Sequence, residues 1–343
     1  MKIAIHHHPG SYSDEWINYC QRNKIQYKSV NCYDSDIITQ LEDCTALMWN
    51  WAQHDYKAIL FARQLIMSIE SIGKKVFPDI NTCWHFDDKV GQKYLFEAKK
   101  VPFVGSYVFY DKNHALKWCE ETSFPKVFKL RSGASSANVK LATNKHKARR
   151  LINIAFSKGF PVVNRYANFT DCLIKYKRDK DSAHFFSLLK SMVRLFIPTR
   201  FEKINGREIG YVYFQDFIPN NSFDIRIMAI GNRAYGTKRI VRMNDFRASG
   251  GGLSIYDPKQ IDIECVKIAF DVKKKIEAQS VAFDFVFQND KPLITEISYS
   301  SVIDHHYPGY WDNELNWHDN MVFEETTIIE EFIKSLTSIY TLL

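Results

Sequence analysis

Two apolar segments towards the C-terminus each carry one acidic residue, and their pairing constrains the fold more than any other feature. Asp284 lies within VAFDFVFQ and Glu296 follows PLIT, and both segments have the β-branched and aromatic composition of strands. The intervening residues 288–292, QNDKP, have the composition of a turn. Because position 290 is midway between the two acids, a regular hairpin makes their carboxylates direct cross-strand neighbours, with Cβ atoms roughly 5 Å apart.

Facing carboxylates destabilise an apolar hairpin unless a cation lies between them. The sequence therefore predicts a divalent metal between Asp284 and Glu296, and hard oxygen ligands of this kind suit Mg²⁺. Strand alternation also places Ser298 on the same face as Glu296.

The N-terminal part of the chain alternates short apolar strands with amphipathic helices. KIAI, YKSVNCY and ALMWNW are predicted strands, and a long helix follows over YKAILFARQLIMSIESIG. Alternation of this kind predicts a parallel sheet with right-handed crossovers, forming a small α/β domain over residues 1–80. Ligands bind at the carboxyl ends of such strands, where HHHPGS follows the first strand and WNW ends another. Trp49 and Trp51 could stack on a sugar or could simply pack.

Composition narrows the classes of protein to which this chain could belong. It has 343 residues, enough for two or three domains, and 45% of them are hydrophobic. We expect a cytoplasmic protein, because no apolar run could span a membrane and seven scattered cysteines indicate reduced thiols. The net charge of +7 suits anionic substrates or a membrane surface, and no nucleic-acid motif is present.

A second candidate site is FPKVFKLRSGASSANVKL, in which a strand carrying Lys129 runs into small residues from Ser132 onwards. Backbone amides of such a loop can surround phosphate oxygens while the lysine supplies positive charge. The loop is not a Walker motif, because it lacks the GK[ST] ending, and an ordinary hairpin turn remains an equal alternative. Lys89 alone would be interpreted as a solvated lysine at a helix start.

The order of the motifs carries more information than any one of them. Lys89 and Lys129 precede QDFIP, FDIR, DFRASGGG and the two acids. This order resembles the ATP-grasp superfamily, most closely the branch of ribosomal-protein glutamate ligases and D-alanine–D-alanine ligases, over about 78–301. NDFRASG, FDDKVGQKYL and PGYWDNELNWH look like bacterial ATP-grasp proteins found with surface-polysaccharide genes.

The resemblance implies an α/β protein in which two α+β subdomains enclose ATP, preceded by a small parallel α/β domain. The corresponding division is 1–80 for the N-terminal domain, 81–165 for the central subdomain with the phosphate loop, and 166–343 for the C-terminal subdomain with the metal site. The last of these includes a basic insertion at 175–207.

The resemblance also implies roles for individual residues. Asp284, Glu296 and Ser298 match the positions that bind magnesium. The residues implied to bind ATP through phosphates, adenine or ribose are Lys89, Lys129, Ser132, Gly133, Ser135, Ser136, Gln215, Asp216, Phe217, Asp224 and Lys238.

The sequence departs from the family pattern at three places. Ser298 stands where the third metal position is usually Asn, the phosphate loop has less glycine, and the segment after DFR is shortened. Neutralisation of the transferred phosphate then falls to Arg247 or Arg242, our candidates for catalytic residues. We still expect ATP binding, and it is the expectation of ATP turnover that these departures weaken.

The implied reaction is ATP-dependent ligation of a carboxylate to an amine through an acyl phosphate, with ATP and Mg²⁺ required. The acceptor is a small molecule or a surface-glycan precursor. We expect substrate contacts from His7, His8, Ser11, Arg226 and Ser300. Two alternatives are an ATP-grasp kinase that phosphorylates a hydroxyl and a non-catalytic ATP-binding regulatory protein.

The insertion over 175–207 contains nine lysines or arginines and a strongly apolar helix, HFFSLLKSMVRLFIP. His184, Ser187, Lys190 or Ser191, and Arg194 form one polar stripe on this helix. It could lie on a bilayer, pack against a second subunit or complete the core. We favour burial of Phe185, Phe186, Leu189 and Phe196, most of all in a homodimer.

Overall fold

The computed structural model describes residues 1–133, 138–241, 253–300 and 307–340, with the side chains of 175, 179 and 338–340 excepted. Strands in the N-terminal part pair in the parallel order β2-β1-β3-β4, as the sequence predicts. These strands are β1 (Lys2–His6), β2 (Gln26–Val30), β3 (Ala46–Met48) and β4 (Lys75–Phe77). The helices are α1 (Tyr12–Arg22), α2 (Ile37–Gln40), α3 (Tyr56–Ser71), α4 (Ile80–Cys83) and α5 (Lys89–Ala98).

Large aromatic side chains fill the core of this sheet. Trp16, Trp49 and Trp51 are buried, so the two tryptophans at the end of β3 pack inside the protein and are not free to stack on a sugar. The final helix, α12 (Glu324–Tyr340), returns to this core and packs Ile329 and Phe332 into it. The N-terminal domain is thus completed by the C-terminal end of the described chain.

A second sheet has the order β5-β10-β6-β7, with β10 antiparallel to both of its neighbours. The strands are β5 (Ser106–Phe109), β6 (Lys126–Lys129), β7 (Lys140–Ala142) and β10 (Val212–Asp216), and α6 (Lys112–Glu121) and α7 (Lys145–Ala155) cover them. Since β10 lies between β5 and β6, the central sheet takes its middle strand from beyond residue 165. The domain boundaries themselves remain predictions.

Between α7 and β10, a helical insertion grows out of a short strand pair. β8 (Phe160–Pro161) and β9 (Arg207–Glu208) pair with each other, and α8 (Arg165–Asp179), α9 (Ser182–Phe196) and α10 (Arg200–Asn205) lie between them. Phe185, Phe186, Leu189 and Phe196 are exposed, so the insertion does not bury them in the core of its own chain. Their burial between two subunits, which we favoured, stays a prediction. Among the described helices, none combines the length and the apolar character needed to cross a membrane.

The third sheet follows the order β15-β14-β11-β12-β16-β17, with β13 paired to β12. Its strands are β11 (Phe223–Ile230), β12 (Arg233–Ile240), β13 (Ser254–Ile255), β14 (Ser280–Gln288), β15 (Lys291–Ser298), β16 (Tyr310–Trp311) and β17 (Trp317–His318). Helix α11 (Ile263–Ile276) packs on one face, against Ile225, Ile227, Phe283 and Phe285. Because successive strand residues point to opposite faces, the polar residues between these apolar ones point to the other face.

Candidate active site

The hairpin of β14 and β15 contains an irregularity that sets the position of its second acid. Gln288 pairs with Lys291, so the turn is only Asn289-Asp290, and both residues have positive φ, as a type I′ turn requires. Continued regularly, this register would place Asp284 opposite Thr295 and turn Glu296 to the other face.

A β-bulge corrects this register. Phe285 pairs with Ile294 but Asp284 pairs with Glu296, which leaves Thr295 as the extra residue. The Thr295 hydroxyl donates to the carbonyl of Asp284 at 3.0 Å. The predicted pairing of the two acids is confirmed, although the predicted turn was too long and the bulge was not foreseen.

Two arginines hold the carboxylate of Asp284. Arg226 donates to it in a bidentate arrangement at 2.7 and 2.9 Å, and Arg239 approaches one of its oxygens at 2.9 Å. Arg239 also donates to both oxygens of Asp224, at 2.7 and 2.6 Å. Burial alone would raise the pKa of Asp284, but the two guanidinium groups outweigh it and hold the pKa well below its ordinary value. At Asp224 the effect of burial exceeds that of the Arg239 guanidinium, so the pKa of this carboxyl is raised.

Lys89 neutralises the other acid of the hairpin. Its ammonium group lies 3.0 Å from Glu296 and donates to the carbonyl of Gly133 at 2.8 Å. The lysine is buried; burial would lower its pKa, but the charges of Glu296 and Asp87 raise it. Asp87 accepts from the Gly133 amide at 2.8 Å, and burial raises the pKa of this carboxyl to about 6. Lys89 therefore links Gly133, at the start of the predicted phosphate loop, to the acid pair.

Lys129 is a cation of a different kind. Within the part of the chain that the structure describes, its ammonium group has neither a hydrogen bond nor an ion pair. Burial lowers its pKa to about 8, although the charges of Glu296 and Asp284 oppose that shift. A desolvated ammonium group without a partner, within electrostatic reach of both acids, is suited to hold an anion.

The segment that carries the phosphate loop is fixed at both ends. The Ser132 hydroxyl donates to Glu208 at 2.5 Å, just after the helical insertion. At the other end, the Asn138 side chain donates to the carbonyls of residues 161–162 at 3.1 and 3.0 Å, just before that insertion. The strands that flank the insertion thus set the two ends of the loop.

The predicted adenine-binding segment begins with the last two residues of β10, the middle strand of the central sheet. The amide of Gln215, which is buried, donates to the carbonyl of Thr295 at 3.4 Å, and Asp216 forms an ion pair with Lys126 at 2.5 Å. Both side chains are therefore engaged within the protein. Contact with adenine through the backbone at Gln215 and Phe217 stays a prediction.

Lys238 lies on a different face from the acids. It pairs with Ile225, which faces α11, and its ammonium group is 4.2 Å from the centroid of the Phe223 ring. The next residue, Arg239, faces the acids. Strand alternation turns its side chain away from the face that carries the acids, and the binding of ATP by Lys238 stays a prediction.

The N-terminal candidates cluster at the carboxyl end of β1, as predicted. His7 and His8 are exposed, and His7 contacts Asp14 at 2.9 Å. Ser11 caps α1 by accepting from the amide of residue 13. His6 differs, because it is buried and its Nδ1 accepts from the Cys32 amide at 3.0 Å, which makes it a structural residue. Contacts of His7, His8 and Ser11 with substrate stay predictions.

The third predicted metal ligand is already hydrogen bonded. The Ser298 hydroxyl donates to the carbonyl of Ser300 at 2.8 Å. In the described ranges, no cluster of three or more His, Cys, Asp or Glu side chains could hold a metal ion. Because a hydroxyl that donates its hydrogen keeps its oxygen lone pairs, Ser298 stays a predicted magnesium ligand together with the carboxylates of Asp284 and Glu296, which are hard oxygen donors.

Several predicted site residues lie outside the described residues. They are Ser135, Ser136, Arg242 and Arg247, and the histidines at 305–306 also fall there. Their roles stay predictions.

Arg239 is the residue that sequence reasoning missed. The signal was present in the Gly231-Asn232 turn between β11 and β12, because Ile230 pairs with Arg233. Counting outward from that turn places Asp224 opposite Arg239, which is the observed register.

Similarity to known proteins agrees with this geometry. Residues 202–307 match the family model of the RimK-like ATP-grasp domain. No curated protein sequence matches the chain significantly.

Solved structures extend the similarity to most of the chain. The D-alanine–D-alanine ligase of Bacillus anthracis is 13% identical over 87% of this chain and 86% of its own, with a TM-score of 0.52. An ATP-grasp RimK domain protein from Sphaerobacter thermophilus is 13% identical over 89% and 92%, with a TM-score of 0.51. D-cycloserine synthetase DcsG is 11% identical over 98% and 100%, with a TM-score of 0.56. The chain therefore has the ATP-grasp fold of these structures, and its residues 202–307 are similar to the RimK-like ATP-grasp domain.

Proposed function

We propose that this protein is an ADP-forming ligase that joins a carboxylate to an amine through an acyl phosphate. The observation that carries the proposal is Lys129, a desolvated ammonium group without a protein partner among the described residues, facing the Asp284–Glu296 pair. An ATP-grasp fold with this arrangement requires an anionic ligand to complete it. The triphosphate of ATP meets that requirement.

The two lysines have different tasks in this proposal. Lys129 is free to bind phosphate oxygens directly, and its low pKa leaves it protonated at neutral pH, as an anion requires. Lys89 holds Glu296 and the Gly133 carbonyl together, so it couples the start of the phosphate loop to the acid pair. A phosphate oxygen can share the Lys89 ammonium group, which has three donors.

Asp284 and Glu296 would hold magnesium, which would screen the phosphate charges when bound. The fit rests on two hard carboxylates that are cross-strand neighbours. Arg226 and Arg239 occupy the oxygens of Asp284. We infer that one of these arginines gives way and then contacts the anionic substrate or the transferred phosphate, because a planar guanidinium binds such groups in a bidentate manner.

The reaction begins when an oxygen of the substrate carboxylate attacks the γ-phosphorus, forming a new P–O bond as the bond to ADP breaks. The amine then attacks the acyl carbon, phosphate leaves with the electron pair of the C–O bond, and the amine loses a proton. An acyl phosphate hydrolyses in water, so the site must exclude water from this intermediate.

For the substrates, we propose only a chemical class. D-alanine–D-alanine ligase and D-cycloserine synthetase share the fold, which supports amino-acid-like substrates. The proposal that the acceptor is a bacterial surface-glycan precursor rests only on the sequence motifs NDFRASG, FDDKVGQKYL and PGYWDNELNWH.

Incubation of the purified chain with Mg-ATP and a matrix of carboxylic acids and amines tests the proposal. We expect ADP and an amide in equal amounts by mass spectrometry, with both lost in Glu296→Gln and retained in Glu264→Gln, an exposed acid on α11. A phosphorylated hydroxyl would establish the kinase alternative. ATP binding without any product across the matrix would favour the regulatory alternative.

A further inference from the structure

The outer face of α9 exposes an apolar stripe, and only its first member, Phe185, is seen to contact another described helix, through the ring of Tyr176 on α8 at 5.7 Å between centroids. Phe196 is 84% exposed and Phe186 is 67% exposed, values far above those of the core. The exposed members of the stripe and its C-terminal extension are Phe185, Phe186, Leu189, Met192, Val193, Phe196 and Ile197.

This stripe is a second apolar face of the helix. α9 packs on α8, and its two buried residues, Leu188 and Ser191, lie on a different side of the helix from the centre of the stripe. A helix that needed only to cover its own domain would be polar outside that contact. Instead, the apolar side chains recur at intervals of four, three and four residues, from Phe185 through Leu189 and Met192 to Phe196. That is the spacing of an a/d seam.

The size of the exposed face matches one half of a stable interface. At about 200 Å² for a phenylalanine and somewhat less for the aliphatic residues, the stripe leaves on the order of 700 Å² in water. Monomers rarely expose an apolar patch above about 300–600 Å², and a standard interface buries about 800 Å² per partner.

The stripe is self-complementary under a twofold axis. An axis midway between Leu189 and Met192 exchanges these two positions, and it also exchanges Phe185 with Phe196. Two antiparallel copies of α9 would therefore place Phe185 against Phe196 of the other copy, with helix dipoles opposed. A twofold interface requires this kind of symmetry, because the same patch serves both partners.

Charge favours a protein partner over a lipid surface. The exposed cations of α9, Lys190 and Arg194, lie along one edge of the stripe, while its other edge packs against α8. A helix that lies on a bilayer has cations on a broad polar face and uses Trp at the interface. α9 has no tryptophan.

We propose that the α9 stripe is the interface of a homodimer, formed by antiparallel packing with α9 of a second copy of this chain. The proposal rests on the exposed residues of the insertion and does not depend on the activity of the ATP-grasp site.

Sedimentation equilibrium of the full chain over a wide concentration range tests the proposal. We expect a dimer, and we expect Leu189→Glu to raise the dissociation constant at least about 100-fold, because it buries a charge at the centre of the interface. Lys190→Glu, one residue along and off the stripe, is the matched control and should remain dimeric. Circular dichroism and thermal unfolding check that each variant is folded.

A mixing experiment tests the antiparallel register. Phe185→Glu and Phe196→Lys should each be monomeric alone and should form a heterodimer when mixed, since the new charges face each other across the axis. A wild-type chain that is monomeric at every concentration would overturn the proposal, and so would a dimer that Leu189→Glu leaves intact. Flotation of a monomeric wild type with phosphatidylserine vesicles, lost in high salt, would show that the stripe binds a membrane instead.

Discussion

Replacing Lys129 by methionine is expected to stabilise the protein while weakening its binding of ATP. Lys129 is desolvated, has no partner among the described residues, and has a pKa lowered from 10.5 to about 8 by burial. A difference of one in the pKa of a group between the folded and unfolded states corresponds to about 1.4 kcal/mol. The charged form of Lys129 therefore costs up to about 3 kcal/mol of folding free energy at pH 7.

The pH dependence gives the prediction its sign. Between about pH 8 and pH 10.5, the folded chain holds fewer protons at Lys129 than the unfolded chain does. The contribution of Lys129 to the stability of the wild type is therefore most unfavourable below pH 8. It becomes less unfavourable as the pH rises through that window. The advantage of Lys129→Met should be greatest at pH 7 and should fall below about 1 kcal/mol at pH 10.

Urea unfolding of the wild type and variant at both pH values measures this difference. Lys126→Met is the matched control on the same strand, because it leaves Asp216 without its ion-pair partner. We expect that control to lose roughly 1–3 kcal/mol. A Lys129→Met variant that is less stable than the wild type at pH 7, or whose advantage does not change with pH, would refute the assignment of Lys129 as a strained phosphate-binding residue.

Three further predictions concern the same site. Glu296→Gln should abolish carboxylate-dependent ADP formation with an unchanged circular dichroism spectrum, and wild-type turnover would remove Glu296 from the metal site. Glu208→Gln should raise the KM for ATP about tenfold by releasing Ser132, since a lost charged hydrogen bond is worth about 1.5 kcal/mol; an unchanged KM would show that this contact does not set the loop. Titration calorimetry should show that ATP affinity decreases at pH values below about 6, where Asp87 gains a proton and releases Gly133. The affinity should also decrease at pH values above about 8, where Lys129 loses its proton. A flat profile from pH 5 to 9 would contradict both assignments.

The sequence identified the elements of the site more securely than their contacts. Asp284 and Glu296 could be paired because the strand composition and the turn between them are local features. The bulge at Thr295 could not be predicted, because neither its composition nor the alternation pattern marks it. The pairing was nevertheless predicted correctly, because two errors cancelled. The overestimated turn shifted the register by one residue, and the unforeseen bulge, which is one extra residue in β15, shifted it back.

The contacts that join the subdomains were beyond local reasoning. Glu208 holds Ser132 across 76 residues, and Lys89 at the start of α5 reaches Glu296 on β15. Only the packed fold brings such residues together. Arg239 differs, since its pairing with Asp224 follows from a recognisable turn.

A crystal structure of the protein with Mg²⁺ and a non-hydrolysable ATP analogue tests the central claim most directly. We predict Lys129 Nζ about 3 Å from a phosphate oxygen, magnesium between Asp284 and Glu296, and at least one of Arg226 and Arg239 withdrawn from Asp284. Nucleotide bound away from Lys129, with Asp284 still held by both arginines, would contradict the account.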